Sequence, residues 1–302
     1  MLATRLRRVN CRQFTLLLHI TLEPIIVILP PLVETLPTGE HQLMLQIGEQ
    51  ELYLSILHKR EQLVLAHLAV HHHNDWQESS WTQVWKMLED KYPWLMKTWN
   101  KVFVFYQHGD STLIPATWFQ TWYKEKIMES LFGLQYEAMV FSDLIPEASI
   151  YNLYQVPRWL HGRVLRHFKT GECWHQRTPE LRELFQRKVE ECIRIVFYPN
   201  RFFITLFVGG TLKLGQTYNY ASPEDVTYQL LQLAYNFELN VETIPVQLQG
   251  MIDRSSGVYR EVEKYFKEVS CDTSSDTWHL SPYFREYPAH YFTSVLTAAA
   301  CV

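Results

Sequence analysis

The sequence predicts an α/β protein of two duplicated domains, each a mixed sheet covered by helices. Three observations carry this. A series of three strand-like runs, a helix and a further strand is written twice, about 150 residues apart. Runs joined by tight turns must pair antiparallel, whereas a strand reached through a helix lies parallel beside its predecessor with right-handed chirality. The composition, 302 residues with 47% hydrophobic and 20% charged, is that of a globular chain with enough apolar surface for a core in each half. Two such sheets leave a cleft between them.

The first copy opens at residues 42–47, where Leu43, Leu45 and Ile47 alternate with Gln42, Met44 and Gln46. That period of two belongs to a strand with one buried and one partly wet face. Gly48 marks a turn, residues 51–57 repeat the alternation through Leu52, Leu54 and Ile56, and residues 61–70 complete the meander. Asp75, with Glu78 three residues on, is placed to cap a helix over 76–90, and its Trp81, Val84, Trp85 and Leu88 form one apolar stripe. The apolar run 101–107 is the strand after that crossover. The second copy places strands at 192–198, 202–208 and 211–220, punctuated by Pro199-Asn200 and Gly209-Gly210. Its helix, 223–237, is well marked. Ser222 can cap it, Pro223 suits the first helical position, and Glu224 and Asp225 meet the positive end of the dipole. A strand over 243–248 follows.

Between the copies the pattern predicts a helix from Pro115, a strand over 149–156 and a helix over 157–168 with Leu160, Val164 and Phe168 on one side. Residues 169–178, with Gly171, Cys173 and nearby Pro179, read as an interdomain loop. After the second copy come a helix over 256–269, a polar loop over 270–276 and a short apolar helix over 290–300. The expected division is an extension at 1–40, a first domain at 41–170, a linker at 171–190 and a second domain at 191–302.

The extension carries Arg5, Arg7, Arg8 and Arg12 before an apolar stretch, 14–33, that imitates a signal anchor. A spanning helix wants ~20 mostly apolar residues with few charges, and His19, Glu23, Pro24, Pro30 and Pro31 interrupt this one. Residues 1–40 are therefore expected to be a peripheral strand, or an extension that is disordered or added by a mis-assigned start. No stable membrane insertion is expected. A net charge of −4 supplies no basic field for nucleic acid. Five cysteines without a CxxC pair argue against structural zinc or a disulfide framework and fit a reducing, cytoplasmic setting.

Leu113-Ile114-Pro115, Asp143-Leu144-Ile145-Pro146, Tyr154-Gln155-Val156-Pro157, the run 193–269 ending in Tyr265-Phe266, and His290-Tyr291-Phe292 together resemble a bacterial family of uncharacterised function with an actin-like ATPase fold. The resemblance covers residues 42–302. It implies an actin-like ATPase, or ribonuclease-H-like, fold: two duplicated domains, each with a five-stranded mixed sheet of three antiparallel plus parallel strands. These are not catalytic motifs, and they leave function open.

An actin-like ATPase holds phosphates in two glycine-rich turns, one per domain, while carboxylates place magnesium. Backbone N–H groups must approach the phosphates closely, which calls for glycine. Here the first turn, Ile47-Gly48-Glu49-Gln50, has one glycine. The second, Phe197-Tyr198-Pro199-Asn200-Arg201, has neither glycine nor acid, and Pro199 removes a donor. The adenosine-side turn, Gln249-Gly250-Met251-Ile252-Asp253, keeps one glycine. Ser255 and Ser256 open a helix whose N-terminus can receive an anion, although capping is serine's routine use there. Gly48, Glu49, Asn200, Gly250, Asp253, Ser255 and Ser256 thus outline a degenerate nucleotide or ligand cleft with no catalytic residue. ATP and magnesium are conceivable there but are not expected cofactors.

His71, His72 and His73, with Asp75, suggest a metal, but adjacent residues at a strand end point in different directions, and a solvated loop is the better reading. No metal is expected. The favoured function is a non-hydrolysing (pseudo-ATPase) scaffold or adaptor that works through a protein partner. The alternative is a divergent nucleotide-dependent phosphotransferase or ATPase with Glu49 and Asp253 on the magnesium side. A ribonuclease-H-like nuclease would need clustered carboxylates that 101–107 and 193–198 lack. Seven of the ten tryptophans fall between residues 76 and 122, in the first domain. Burying a tryptophan removes about 200 Å², worth up to ~5 kcal/mol, so most must be core. Trp94 and Trp99, flanking a helix end broken at Pro93, are the candidates for partner contact.

Overall fold

The computed structural model describes residues 24–302 apart from 32, 134–136, 169–170, 272, 274 and 276. Arg5, Arg7, Arg8 and Arg12, the first part of the apolar stretch and some of the polar loop at 270–276 lie outside the described residues.

A short strand, β1 (Ile26–Ile28), precedes the first meander of β2 (His41–Ile47), β3 (Glu51–His58) and β4 (Leu63–His71). Helix α1 (Glu78–Lys91) crosses to β5 (Val102–Tyr106), which lies parallel to β2. An inserted unit follows, β6 (Ser111–Pro115), α2 (Lys124–Phe132), β7 (Ala138–Ile145) and β8 (Ile150–Pro157), whose strands form a small antiparallel sheet in the order β6-β8-β7. Then α3 (Arg158–His167) leads to β9 (Gly171–His175), parallel to β5, and α4 (Arg177–Gln186) leads to the second domain. There β10 (Cys192–Phe197), β11 (Arg201–Val208) and β12 (Thr211–Asn219) form the second meander. They are followed by α5 (Pro223–Asn236), β13 (Val246–Gly250), α6 (Gly257–Glu263) and β14 (Val269–Cys271). The chain returns to the first sheet through β15 (His279–Leu280), parallel to β4, and ends in α7 (Thr293–Ala300).

The duplication is plain in the strand orders. The first sheet contains β4-β3-β2-β5-β9 and the second is β12-β11-β10-β13-β14, with equivalent parallel and antiparallel pairs. The register keeps an offset of 150 between the meanders: Ile47 faces Leu52 as Phe197 faces Phe202. The first sheet gains two strands beyond the expected five, β1 and β15, both on β4.

These additions explain where the expected polarity fails. Leu43, Leu45 and Ile47 pack with Trp81, Val84 and Trp85 of α1. On the other face, expected to be partly wet, Met44, Phe103 and Phe105 pack with Ile26, Ile28, Phe292 and Val295. The C-terminal return covers that face. Ile26 and Ile28 therefore belong to the core, within the stretch 1–40 for which a peripheral strand is one of the readings.

Other boundaries move for local reasons. No helix starts at Pro115; β6 ends there, paired with β8, and α2 begins at Lys124. Residues 171–190, expected as a linker, hold β9 and α4. Helix α1 is capped by a reciprocal Gln77 and Ser80 pair, while Asp75 accepts a hydrogen bond from Gln50. Helix α6 stops at Glu263, because the chain must turn back to place β14 parallel to β13. Among the described residues, no helix is long and apolar enough to cross a membrane.

Candidate functional site: a cleft closed by its own charges

Each meander's first hairpin turn points into the space between the domains. The two turns are built alike: Gly48 N–H donates to the Glu51 carbonyl at 2.9 Å, and Tyr198 N–H donates to the Arg201 carbonyl at 2.8 Å. At the offset of 150, Glu51 and Arg201 occupy equivalent positions. They meet across the cleft, with Arg201 Nη2 at 2.6 Å from Glu51 Oε1 and also at 2.6 Å from the Gln107 carbonyl oxygen. Arg201 Nη1 lies 2.5 Å from Glu49 Oε2, and the other Glu49 oxygen accepts the Gly109 N–H at 2.7 Å.

Burial makes this pair consequential. The Glu51 side chain is wholly buried and that of Arg201 is 3% exposed. Desolvation pulls the Arg201 pKa down, but Glu51 and Glu49 outweigh it and keep the guanidinium charged. Burial raises the Glu51 carboxyl, with Arg201 opposing and Glu49 adding to the rise. Beside them His108 is held neutral by burial and by Arg201, its pKa lowered to about 4. Removing one partner of such a buried pair typically costs about 3–5 kcal/mol, since the other is left unpaired.

A second arginine crosses in the opposite direction. Arg177, at the start of α4, donates to the Ser111 carbonyl at 3.1 Å and to Thr217 Oγ1 of β12 at 2.8 Å. Its guanidinium stacks 3.9 Å from the Phe203 ring centre. Each domain thus sends a buried arginine into the other.

The outlined cleft residues divide into two groups. Gly48, Glu49 and Asn200 come together around Arg201. A Cβ on Gly48 would meet Glu51 Oε1 at 1.8 Å, so this glycine makes room for the chain's own carboxylate. Asn200 Oδ1 lies 3.4 Å from Arg201 Nη1. Gly250 has φ +87°, and a Cβ there would meet the Phe197 carbonyl at 2.5 Å; glycine lets β13 end tight against β10. Asp253, Ser255 and Ser256 sit apart, at the start of α6. Asp253 accepts the Ser255 N–H, which lowers its pKa, and Ser256 caps α6 by accepting from Tyr259 N–H. Between the groups lies a cavity of about 20 Å³, lined by Gln46, Tyr53, His67, Tyr198 and Gly250. That is room for one water, against the several hundred Å³ of an ordinary ligand pocket.

The histidine run disperses: His71 bonds the Tyr53 hydroxyl, and His72 bonds the Asn74 carbonyl and stacks on Trp76. Trp94 and Trp99 are 5% and 4% exposed, because a 3-10 turn at Pro93–Met96 folds both inward. They belong to the core with Trp76, Trp81 and Trp85. The exposed tryptophans are Trp118 at 78% and Trp122 at 67%, both on the inserted unit, where the Trp122 ring lies tilted against Tyr123. Sequence reasoning missed Arg201, Glu51 and Arg177. The offset of 150 was the available signal for the first two, since it aligns an acid with a base at equivalent turn positions.

Two duplicated mixed sheets facing a cleft define the actin-like ATPase fold. The chain is similar to a Bacteroides thetaiotaomicron VPI-5482 protein with an actin-like ATPase fold and unknown function: TM-score 0.69, 14% identity, 88% of this chain and 97% of that one covered. It is also similar to a structure of the PilM–PilN type IV pilus biogenesis complex, with TM-score 0.58, 11% identity, and 88% and 99% covered. Identities this low speak to the fold alone. By sequence the chain belongs to the DUF3822 family of proteins of unknown function, matched over residues 33–269. No curated protein matches it in sequence.

Proposed function

We propose that this protein is a non-hydrolysing member of the actin-like ATPase fold, serving as a scaffold or adaptor for a protein partner. One observation carries the reading: the positions that would face phosphates hold Glu49 and Glu51, both paired with Arg201. Two carboxylates beside that space repel a polyphosphate, and the guanidinium that could attract one is engaged. The water-sized cavity supports the same reading, as does the absence of glycine and acid from the second turn. That one similar structure is a pilus biogenesis complex fits an adaptor role. The partner surface would be the inserted unit, where Trp118 and Trp122 offer the exposed aromatic anchors typical of binding hot spots.

The test is steady-state phosphate release from ATP with magnesium. Release at background is expected. Release above background that disappears in Glu49→Gln or Asp253→Asn would overturn the reading in favour of a divergent phosphotransferase.

A further inference from the structure

Glu49 is held as a ligand would be held. Its two carboxylate oxygens take donors from different domains, the Gly109 N–H at 2.7 Å in the loop after β5 and Arg201 Nη1 at 2.5 Å at the start of β11. His108 Nδ1 stands 3.9 Å from the same carboxylate. Glu51 is sealed, but the Glu49 side chain is 26% exposed at the mouth of the cleft. It can swing into solvent without stranding a buried charge, since Arg201 keeps Glu51 and the Gln107 carbonyl.

Polar atoms that Glu49 does not serve lie in the same loop. Among the described residues, both amide atoms of Gln107, a residue 3% exposed, and Nε2 of His108 are buried without a hydrogen-bond partner. Such atoms are uncommon in a native protein and call for an explanation. A small acid with a second polar group would satisfy them while replacing the carboxylate.

We propose that Glu49 is a built-in surrogate for an external organic carboxylate. The ligand enters at the cleft mouth, takes the Gly109 N–H and Arg201 guanidinium in place of Glu49, and turns its remaining polar group toward Gln107. No bond is made or broken, and Glu49 leaves for solvent as an anion. A carboxylate fits better than a tetrahedral phosphate, because the donors already hold a planar one through one bond to each oxygen. The inference rests on the cleft being non-hydrolysing, but its test reads melting rather than turnover, so either can fail alone.

The experiment is thermal melting of wild type, Glu49→Ala and Glu49→Gly in about 200 mM sodium acetate and in sodium chloride at the same concentration. A ligand at several times its Kd raises Tm by about 2 °C for a chain of this size. Both variants are expected to melt at least that much higher in acetate than in chloride. Wild type, where Glu49 competes for the same donors, is expected to shift by less than either variant. An equal acetate shift in wild type, or no shift in the variants, would overturn the proposal. So would variants that fail to fold in either salt, since Glu49 would then be a strut. Stabilisation of the variants by inorganic phosphate and not by acetate would overturn the ligand class.

Discussion

Glycine at position 48 would ordinarily be explained by its turn, yet the contact that forbids a side chain is Glu51 Oε1, 1.8 Å from where a Cβ would sit. Gly48→Ala is therefore expected to cost about 1–3 kcal/mol, the usual range for overpacking, and most of that penalty should vanish in a Glu51→Ala background. Urea denaturation of the four proteins checks this; an equal penalty in both backgrounds would mean that turn geometry alone demands the glycine. Glu180 on α4 offers a second test. It is 3% exposed, and burial pushes its pKa up to about 7 against the pull of Gln176, Arg177 and Arg194. The native state thus keeps a proton that the unfolded chain releases near 4.5. The associated stability is complete below that value and is lost as pH rises through about 7. Glu180→Gln should stabilise the protein at pH 8 by up to about 3 kcal/mol and have little effect at pH 4. A stability difference that does not change with pH would contradict this.

At the scale of elements, β1 decides whether the region before residue 41 matters to the fold. Ile26 and Ile28 are each 4% exposed against the first sheet and the C-terminal return. Replacing either by alanine should cost about 2–4 kcal/mol, read as a lowered denaturation midpoint; an unchanged midpoint would make β1 a passenger. The sequence leaves this strand as one of several readings of residues 1–40, because three residues between prolines show no period and their partners in β4 lie about forty residues away. β9 was hidden for the same reason: Gly171–His175 is short and does not alternate, and only its parallel pairing with β5 makes it a strand. The meanders and α5 were legible, since period-two alternation, turn glycines and the Ser222–Pro223 start are local signals. The cleft residues were legible as types but not as contacts. Glu49 and Gly48 stood out by comparison with a glycine-rich turn, whereas Arg177 became visible only when α4 placed it against Phe203. Tryptophan burial was unreadable for a different reason, because an aromatic stripe suits a core and an interface equally.

For the whole molecule, two domains joined by reciprocal buried arginines form a body whose cleft is filled by its own side chains, and the proposed partner surface lies outside it, on the inserted unit. If the inserted unit is that surface, Trp118→Ala and Trp122→Ala should each weaken a purified partner's binding at least tenfold with melting unchanged. Partner affinity unaffected by both would place the contact elsewhere. The central claim is that Glu51 and Arg201, equivalent positions of the two copies, hold the cleft shut as a charge pair. A double-mutant cycle on Arg201→Gln and Glu51→Gln, followed by urea denaturation, measures it most directly. Arg201→Gln alone should cost about 3–5 kcal/mol by leaving Glu51 buried and unpaired. Adding Glu51→Gln should restore part of that loss, with a coupling energy of about 2 kcal/mol or more. Additivity to within about 0.5 kcal/mol would contradict the claim.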